Sequence, residues 1–336
     1  MKISDIQRYD SQKMYETYDN WPKLAKQYYE KDFSKLEIDD VDHKVFAGMG
    51  GSGTIGDIIS SILSKTNIHV NVVKGYLLPK TVDSNTLVVA TSISGNTDEV
   101  ITILKNYKNS KASFVSFSSD GNLEKVSIEN NIKHIKIPQS HSPRASLPSF
   151  LYSILNVLEN VIPIKKNEII ESISKLEQTQ KLISTSNLNE KNPSLSLANW
   201  IKNIPLIYYP WGLQAAAIRF KNSLQENAKI HTISEDVIEA SHNGIVAWEN
   251  KTNVQPILIQ GYDDYIKTKE RWKIFKEFLQ SKQIDFKEIN SEEGNILSKI
   301  MHLIYLLDYS TIYHAIKSKI DPNPIKPIEF IKKRLK

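Results

Sequence analysis

Thr86–Asn109 reads TLVVATSISGNTDEVITILKNYKN. Its opening, Thr86–Ser92, is nearly continuous in apolar and β-branched residues, the composition of a strand buried inside a parallel sheet. After Ser92 the pattern restarts as a helix, SGNTDEVITILKNYKN. Strand, short turn and helix make half of a βαβ unit, and the same order recurs on both sides. Upstream, KVFA (Lys44–Ala47) is a strand, GMGGSG (Gly48–Gly53) a turn, and TIGDIISSILSK (Thr54–Lys65) a helix. HVNVVKG (His69–Gly75), ASFVSFS (Ala112–Ser118) and IKHIKIP (Ile132–Pro138) are further strands. Alternation of this kind implies a parallel sheet with helices on both faces.

A second pass follows. SFLYSILNVLENVI (149–162) is an apolar helix, followed by a polar helix and a Ser/Asn-rich loop around Ser184–Ser196. IPLIYYPWG (Ile204–Gly212) is a strand ending in a turn, and LQAAAIRFKNSLQENAK (213–229) is a helix. PILIQG (Pro256–Gly261) and FKEIN (286–290) are strands, with helices over 268–282 and 294–318. We expect two α/β domains, 1–155 and 156–336. The first would carry an N-terminal helical arm whose Tyr15, Tyr18 and Trp21 can dock on a neighbour.

Composition narrows the classes. The net charge of +5 on 336 residues is modest, with one basic cluster at Lys332–Lys336, and does not argue for nucleic acid. Absence of cysteine removes disulfides, thiolate catalysis and cysteine-based zinc sites. The opening MKISDIQRYDSQKMYETYDNWP has no apolar signal core, and no apolar run reaches the roughly 18 residues that span a bilayer. A cytoplasmic protein is expected.

Two turns carry the chemistry. Gly48–Gly53 satisfies G-x-G-x-x-G between a strand and a helix. A dinucleotide site also needs a carboxylate about 20 residues on, at the end of the next strand. That strand ends in Val73, Lys74 and Gly75. The remaining readings of the turn are a tight ligand-free bend or an anion site. In the second turn, Ser92, Ser94 and Thr97 surround one turn of amides at a helix start. Capping needs one hydroxyl. Three beside a glycine suit a phosphate, which helix N-termini already favour.

These two stretches resemble known proteins. TSISGNTDEV is similar to the phosphate loop of sugar-isomerase (SIS) domains. GMGGSG is similar to the opening loop of archaeal-type bifunctional phosphoglucose/phosphomannose isomerases. The resemblance runs through both halves. It implies two SIS domains and phosphate binding by Gly51, Ser52, Ser92, Ser94 and Thr97.

Three further stretches extend it. An arginine in a loop, as in SPRASLP (142–148), is commonly solvated, although one fixed near a phosphate can stabilise an oxyanion. The stretch resembles the family's PPRAALP, which assigns Arg144 to the enediolate. Arg219 and Glu226 are seven apart and so share a helix face, with Glu226 at the C-terminal end, where the dipole disfavours an anion and suits a base. A single glutamate is more often a surface residue. RFKNSLQENAK (219–229) resembles R-x-K-x-x-x-x-E-N-A-K, whose glutamate is the family's base, here Glu226. In EASHN (239–243), His242 is a structural histidine, a metal ligand with Glu239 and His231, or a proton shuttle. The family's P-E-x-N-H-N assigns it to ring opening, in the partner subunit's site, which implies a homodimer. Ile238 and Ser241 depart from that pattern. DPNPIKPIEFIK (321–332) resembles the family's C-terminus and points to Lys332, with Lys333 as rival.

The expected activity is interconversion of glucose 6-phosphate, and of mannose 6-phosphate, with fructose 6-phosphate, using no metal or other cofactor. A non-catalytic SIS-type sugar-phosphate sensor, and an aminosugar synthase or deaminase, are the alternatives.

Overall fold

In the computed structural model, which describes residues 1–38, 41–107 and 110–335, every strand pairing is parallel. Lys108 and Asn109, at the end of one expected helix, and Lys336, in the basic cluster, lie outside the described residues. Packing divides the chain into two units. One comprises Asn20–Ser174 and Gly294–Ser298; the other comprises Met1–Asp19, Lys175–Glu293 and Lys299–Lys336. The single cut expected near residue 155 instead falls inside a helix, Leu147–Val157.

The first unit holds five strands: β1 (His43–Ala47), β2 (His69–Val73), β3 (Thr86–Ser92), β4 (Ser113–Ser118) and β5 (Lys133–Lys136). Their order is β2-β1-β3-β4-β5. β1 and β3 are buried along their whole length, and their centres, Val45–Ala47 and Leu87–Ala90, read as apolar runs. Val45, Ala47, Val88 and Ala90 face one core, against Val100, Ile103 and Leu104 of the helix Asp98–Lys105. The sheet grows outward in both directions from the β1–β3 pair. That makes the crevice beyond the C-terminal ends of β1 and β3 its topological switch point, where such sheets hold ligands.

The second unit holds β6 (Ile204–Tyr209), β7 (Ile233–Asp236), β8 (Val254–Gln260) and β9 (Lys287–Asn290), in the order β7-β6-β8-β9. Tyr208, Leu258, Trp272 and Phe275 centre its core, and Trp248 Nε1 donates to Tyr208 Oη at 2.9 Å. β7 was not expected. Its sequence, ISED, is an edge strand with little to bury and so carries no apolar run. The long helix expected over 294–318 spans Ile296–Lys317.

The N-terminal arm is three short helices, Ile3–Tyr9, Met14–Asp19 and Trp21–Tyr29. Asp10 breaks the first by accepting from the amides of Met14 (3.0 Å) and Tyr15 (2.9 Å). Tyr15, Tyr18 and Trp21 are buried within their own chain. Tyr18 Oη donates to Asp308 at 3.2 Å, and Trp21 Nε1 to the Ala145 carbonyl at 2.9 Å. Among the described residues no helix is long and apolar enough to cross a membrane.

Candidate active site

The turns after β1 and β3 meet at the switch point. Ser52 Oγ, 8% exposed, accepts from the Ile93 amide at 3.1 Å, so the first turn is bonded to the second. The helix that follows β1 begins at Gly50, with Met49 as a cap that makes no side-chain bond. Its first internal bonds run from the Ser52 and Gly53 amides to the Met49 carbonyl, which leaves the Gly50 and Gly51 amides ahead of the ladder. A Cβ on Gly53 would lie 2.8 Å from the Gly48 carbonyl oxygen, so these glycines answer to close backbone packing. At the end of β2, Lys74 pairs with Asp57 at 2.6 Å, where a dinucleotide site needs a carboxylate facing a ribose.

In the second turn, Ser92 Oγ and Thr97 Oγ1 lie 2.7 Å apart and bond to each other. Thr97 is the N-cap of Asp98–Lys105 yet makes no side-chain cap bond, so helix capping does not account for its hydroxyl. Ser94 is half-buried and meets the Asn96 amide at a long 3.4 Å. Gly95 has φ +70°, and a Cβ there would fall 1.4 Å from the Asp120 carbonyl oxygen. The β4 loop holds the turn from beneath. Ser119 donates its amide (3.0 Å) and hydroxyl (2.6 Å) to the Ile93 carbonyl, and the Leu123 amide donates to Gly95 (2.9 Å).

Arg144 opens a one-turn 3-10 segment, Arg144–Ser146, leading into Leu147–Val157, and is 4% exposed. The segment packs on the helix Gly50–Leu63 that follows the first turn. Ser146 Oγ lies 3.0 and 2.9 Å from the Ser140 and Ser142 carbonyls, and Trp21 holds Ala145. An arginine here is a fixed group rather than a solvated one. Gly51, Ser52, Ser92, Ser94, Thr97 and Arg144 thus all belong to one unit.

Glu226, His242 and Lys332 belong to the other unit, Glu226 and Lys332 on helical elements and His242 in a turn. Glu226 is half-buried in a π-helical turn, Leu224–Ala228, that continues the α-helix Gln214–Ser223. The seven-residue spacing from Arg219 therefore crosses a change of helix type, and a purely α-helical face does not describe it. Arg219 is buried against Asp308, with Nη2 to Oδ2 at 2.7 Å and Nε to Oδ2 at 3.0 Å. Burial works against its charge, but the Asp308 carboxylate outweighs that and holds the guanidinium above its ordinary value. The turn ends at Lys229, in the left-handed conformation at φ 59°, whose Nζ donates to the Glu226 carbonyl and, at 3.3 Å, to that of Pro322.

His242 is exposed in the turn after the short helix Val237–Ala240. Beside it, Asn243 Nδ2 donates to Glu239 at 2.7 Å, and Asp236 caps the helix through the Ile238 and Glu239 amides. Among the described residues no three His, Asp or Glu side chains are grouped to hold a metal ion. Lys332 and Lys333 both lie in the exposed last turn of the helix Lys326–Arg334. The DPNP segment before it is tied down by Asn323 Nδ2 to Asp10 (2.7 Å) and Ser11 Oγ to Asp321 (2.6 Å).

Two features were not read from the sequence. One is the stripe Arg219, Ser223, Asn227, at four-residue intervals, each bonded to the helix Ile296–Lys317. The other is the turn after β8, which like that after β3 spans five residues before its helix. It carries Asp264 in place of hydroxyls. Asp264 Oδ2 takes the Gly261 amide (2.9 Å) and Trp272 Nε1 (3.1 Å), so this turn is filled by its own carboxylate. Burial raises the Asp264 carboxyl above its ordinary range, against the pull of those two donors.

The family model described as the bacterial phospho-glucose isomerase C-terminal SIS domain matches residues 190–335. A bifunctional phosphoglucose/phosphomannose isomerase of Caldicellulosiruptor bescii is 30% identical over 335 residues, covering 96% of this chain and 98% of the relative. One from Aquifex aeolicus is 28% identical over 298 residues, 87% and 90% of the two chains. Among solved structures, a glucose-6-phosphate isomerase like protein from Thermus thermophilus superposes with a TM-score of 0.63 at 14% identity. It covers 98% of this chain and 97% of that one, a likeness of fold. Identity sustained along almost the whole length of both sequences leads to one conclusion: the chain belongs to the bifunctional phosphoglucose/phosphomannose isomerase family.

Proposed function

We propose that the chain interconverts glucose 6-phosphate and mannose 6-phosphate with fructose 6-phosphate. The observation that carries the reading is the Ser52–Ile93 bond, which joins two hydroxyl-bearing turns into one neutral cradle at the sheet's switch point. The phosphate sits on the hydroxyls of Ser52, Ser92, Ser94 and Thr97 and the amide of Gly51. Neutral donors at a helix start bind a dianion without a lysine.

The remaining roles rest on the family motifs. His242 opens the pyranose by moving a proton between the ring oxygen and the anomeric hydroxyl. Glu226 takes the hydrogen from C2 of the open aldose and returns it to C1. The electron pair left at C2 shifts through a cis-enediolate and the C2 hydroxyl proton passes to the C1 oxygen, so the C1 carbonyl becomes a hydroxyl and the C2 hydroxyl a carbonyl. Arg144 stabilises the oxygen that carries the negative charge, and Lys332 adds a cation to the same task. Only protons and electron pairs move within one sugar, so the balance calls for no oxidant or reductant. A positioned base is worth about 10²–10⁴-fold in rate, and one oxyanion donor about 10²–10³-fold.

His242, exposed on its own chain, is offered to a second copy, making the working form a homodimer in the cytoplasm. The direct experiment supplies glucose 6-phosphate and mannose 6-phosphate side by side and quantifies fructose 6-phosphate. Formation from both supports the reading. Binding of both sugars without turnover replaces it with a sugar-phosphate sensor.

A further inference from the structure

We propose, resting on the reading of Glu226 as the base, that Asn227 and Thr311 are positioning residues that fix where the Glu226 carboxylate is presented. Glu226 stands in a π turn, in which the Lys229 amide closes on the Leu224 carbonyl five residues back. Such turns are rare, less favourable than α-helix, and persist where side chains impose them. The stripe on this helix supplies the imposition. Arg219, Ser223 and Asn227 are 3%, 2% and 0% exposed, and each bonds the helix Ile296–Lys317. Arg219 and Ser223 (2.6 Å) both take Asp308, while Asn227 Nδ2 donates to Thr311 Oγ1 at 2.8 Å.

The donor count at Thr311 closes. Its hydroxyl proton goes to the Asp308 carbonyl at 2.6 Å, which leaves an oxygen lone pair for Asn227. The stripe has two parts with different consequences. Arg219–Asp308–Ser223 lies in the α-helical part and holds the helix to its neighbour. Asn227–Thr311 lies inside the π turn, one residue beyond Glu226. Loss of the second bond leaves the helix docked but frees the turn to relax towards α geometry, which rotates the Glu226 side chain about the axis. A base displaced by about 1 Å loses on the order of 10²-fold in rate.

The test measures kcat and KM for glucose 6-phosphate in Asn227→Ala, Thr311→Val, their double variant, Thr311→Ser and Glu226→Gln. Melting curves confirm that each is folded. We expect kcat to fall about 10- to 100-fold in Asn227→Ala and in Thr311→Val, with KM within about threefold. The double variant should lose less than the sum of the two singles, because the Asn227–Thr311 bond is the part they share. Thr311→Ser keeps the hydroxyl and should keep kcat. The proposal is overturned if Asn227→Ala retains kcat while Glu226→Gln is inactive, or if Thr311→Ser loses as much as Thr311→Val. An active Glu226→Gln overturns it in a distinguishable way, by removing Glu226 as the base.

Discussion

Replacing Gly95 by alanine tests the cradle more sharply than removing any hydroxyl. The new Cβ would lie 1.4 Å from the Asp120 carbonyl oxygen, a backbone atom that no rotamer change can move. Ordinary contact needs more than about 3 Å, so one of the two loops must retreat by roughly 1.5–2 Å. The φ of +70° adds about 1 kcal/mol for any residue with a Cβ. Retreat breaks the Leu123–Gly95 bond and strains the two Ser119–Ile93 bonds, each worth about 1 kcal/mol net. A stability loss of about 3–4 kcal/mol follows. Displacement of the turn also costs the phosphate one bond of about 1.5–3 kcal/mol, so KM for glucose 6-phosphate should rise about 10- to 100-fold. Ser94→Ala is the companion. Among the described residues its hydroxyl has only the 3.4 Å approach of the Asn96 amide, so KM should rise while the melting curve stays put. Steady-state kinetics and thermal melts with and without inorganic phosphate give both quantities. Unchanged KM and melting in Gly95→Ala would refute the argument that the β4 loop props up a phosphate site.

Glu226→Gln should abolish isomerisation while leaving sugar-phosphate binding within a few-fold; near-normal turnover would remove Glu226 as the base. Mixing inactive Glu226→Gln with inactive His242→Ala subunits should restore about a quarter of the parent activity, one site in half of the dimers. No recovery would place His242 outside a shared site. Stability should decline with acid below neutrality. His302 is buried beside Thr179, at 2.8 Å, and burial pushes its pKa down to about 4, opposed by Glu292 and helped by Lys175. Unfolded chains bind its proton near pH 6.5, so its contribution is intact above that value and is lost as pH falls through about 4, roughly 3 kcal/mol in all. A denaturation series from about pH 7 to about pH 4 checks the slope, and His302→Gln should flatten it.

Much of the fold was legible because its central strands are uniform. β1 and β3 are buried on every residue, so their apolar runs stand out against the Ser and Gly turns that end them. The edge strand β7 was invisible for the opposite reason, since Ile233–Asp236 buries little and looks like loop. The three N-terminal helices merged into one arm because the break depends on the Asp10 side chain reaching two amides, a local bond that periodicity does not register. Trp21 and Tyr18 were read as docking groups because nothing in a sequence says which backbone carbonyl or carboxylate an aromatic hydroxyl or indole will find. At the candidate site, the hydroxyls of the two turns could be listed from the sequence, but their union through Ser52 and Ile93 required the sheet order. The i, i+7 relation of Arg219 and Glu226 assumed an α-helix where one π turn intervenes. The stripe that the assumption missed, Arg-x-x-x-Ser-x-x-x-Asn, was there to be seen as polar residues on an otherwise apolar helix flank.

The self-satisfied turn after β8 sets the arithmetic of occupancy. Two halves of like topology could have offered two berths for a dianion, but Asp264 already brings a negative charge to the Gly261 amide and the Trp272 indole. An incoming phosphate would meet repulsion there instead of unmet donors. If the cradle of the first unit is the phosphate site, titration with a hexose phosphate should saturate at one equivalent per polypeptide, and a second equivalent would refute the contrast between the two turns.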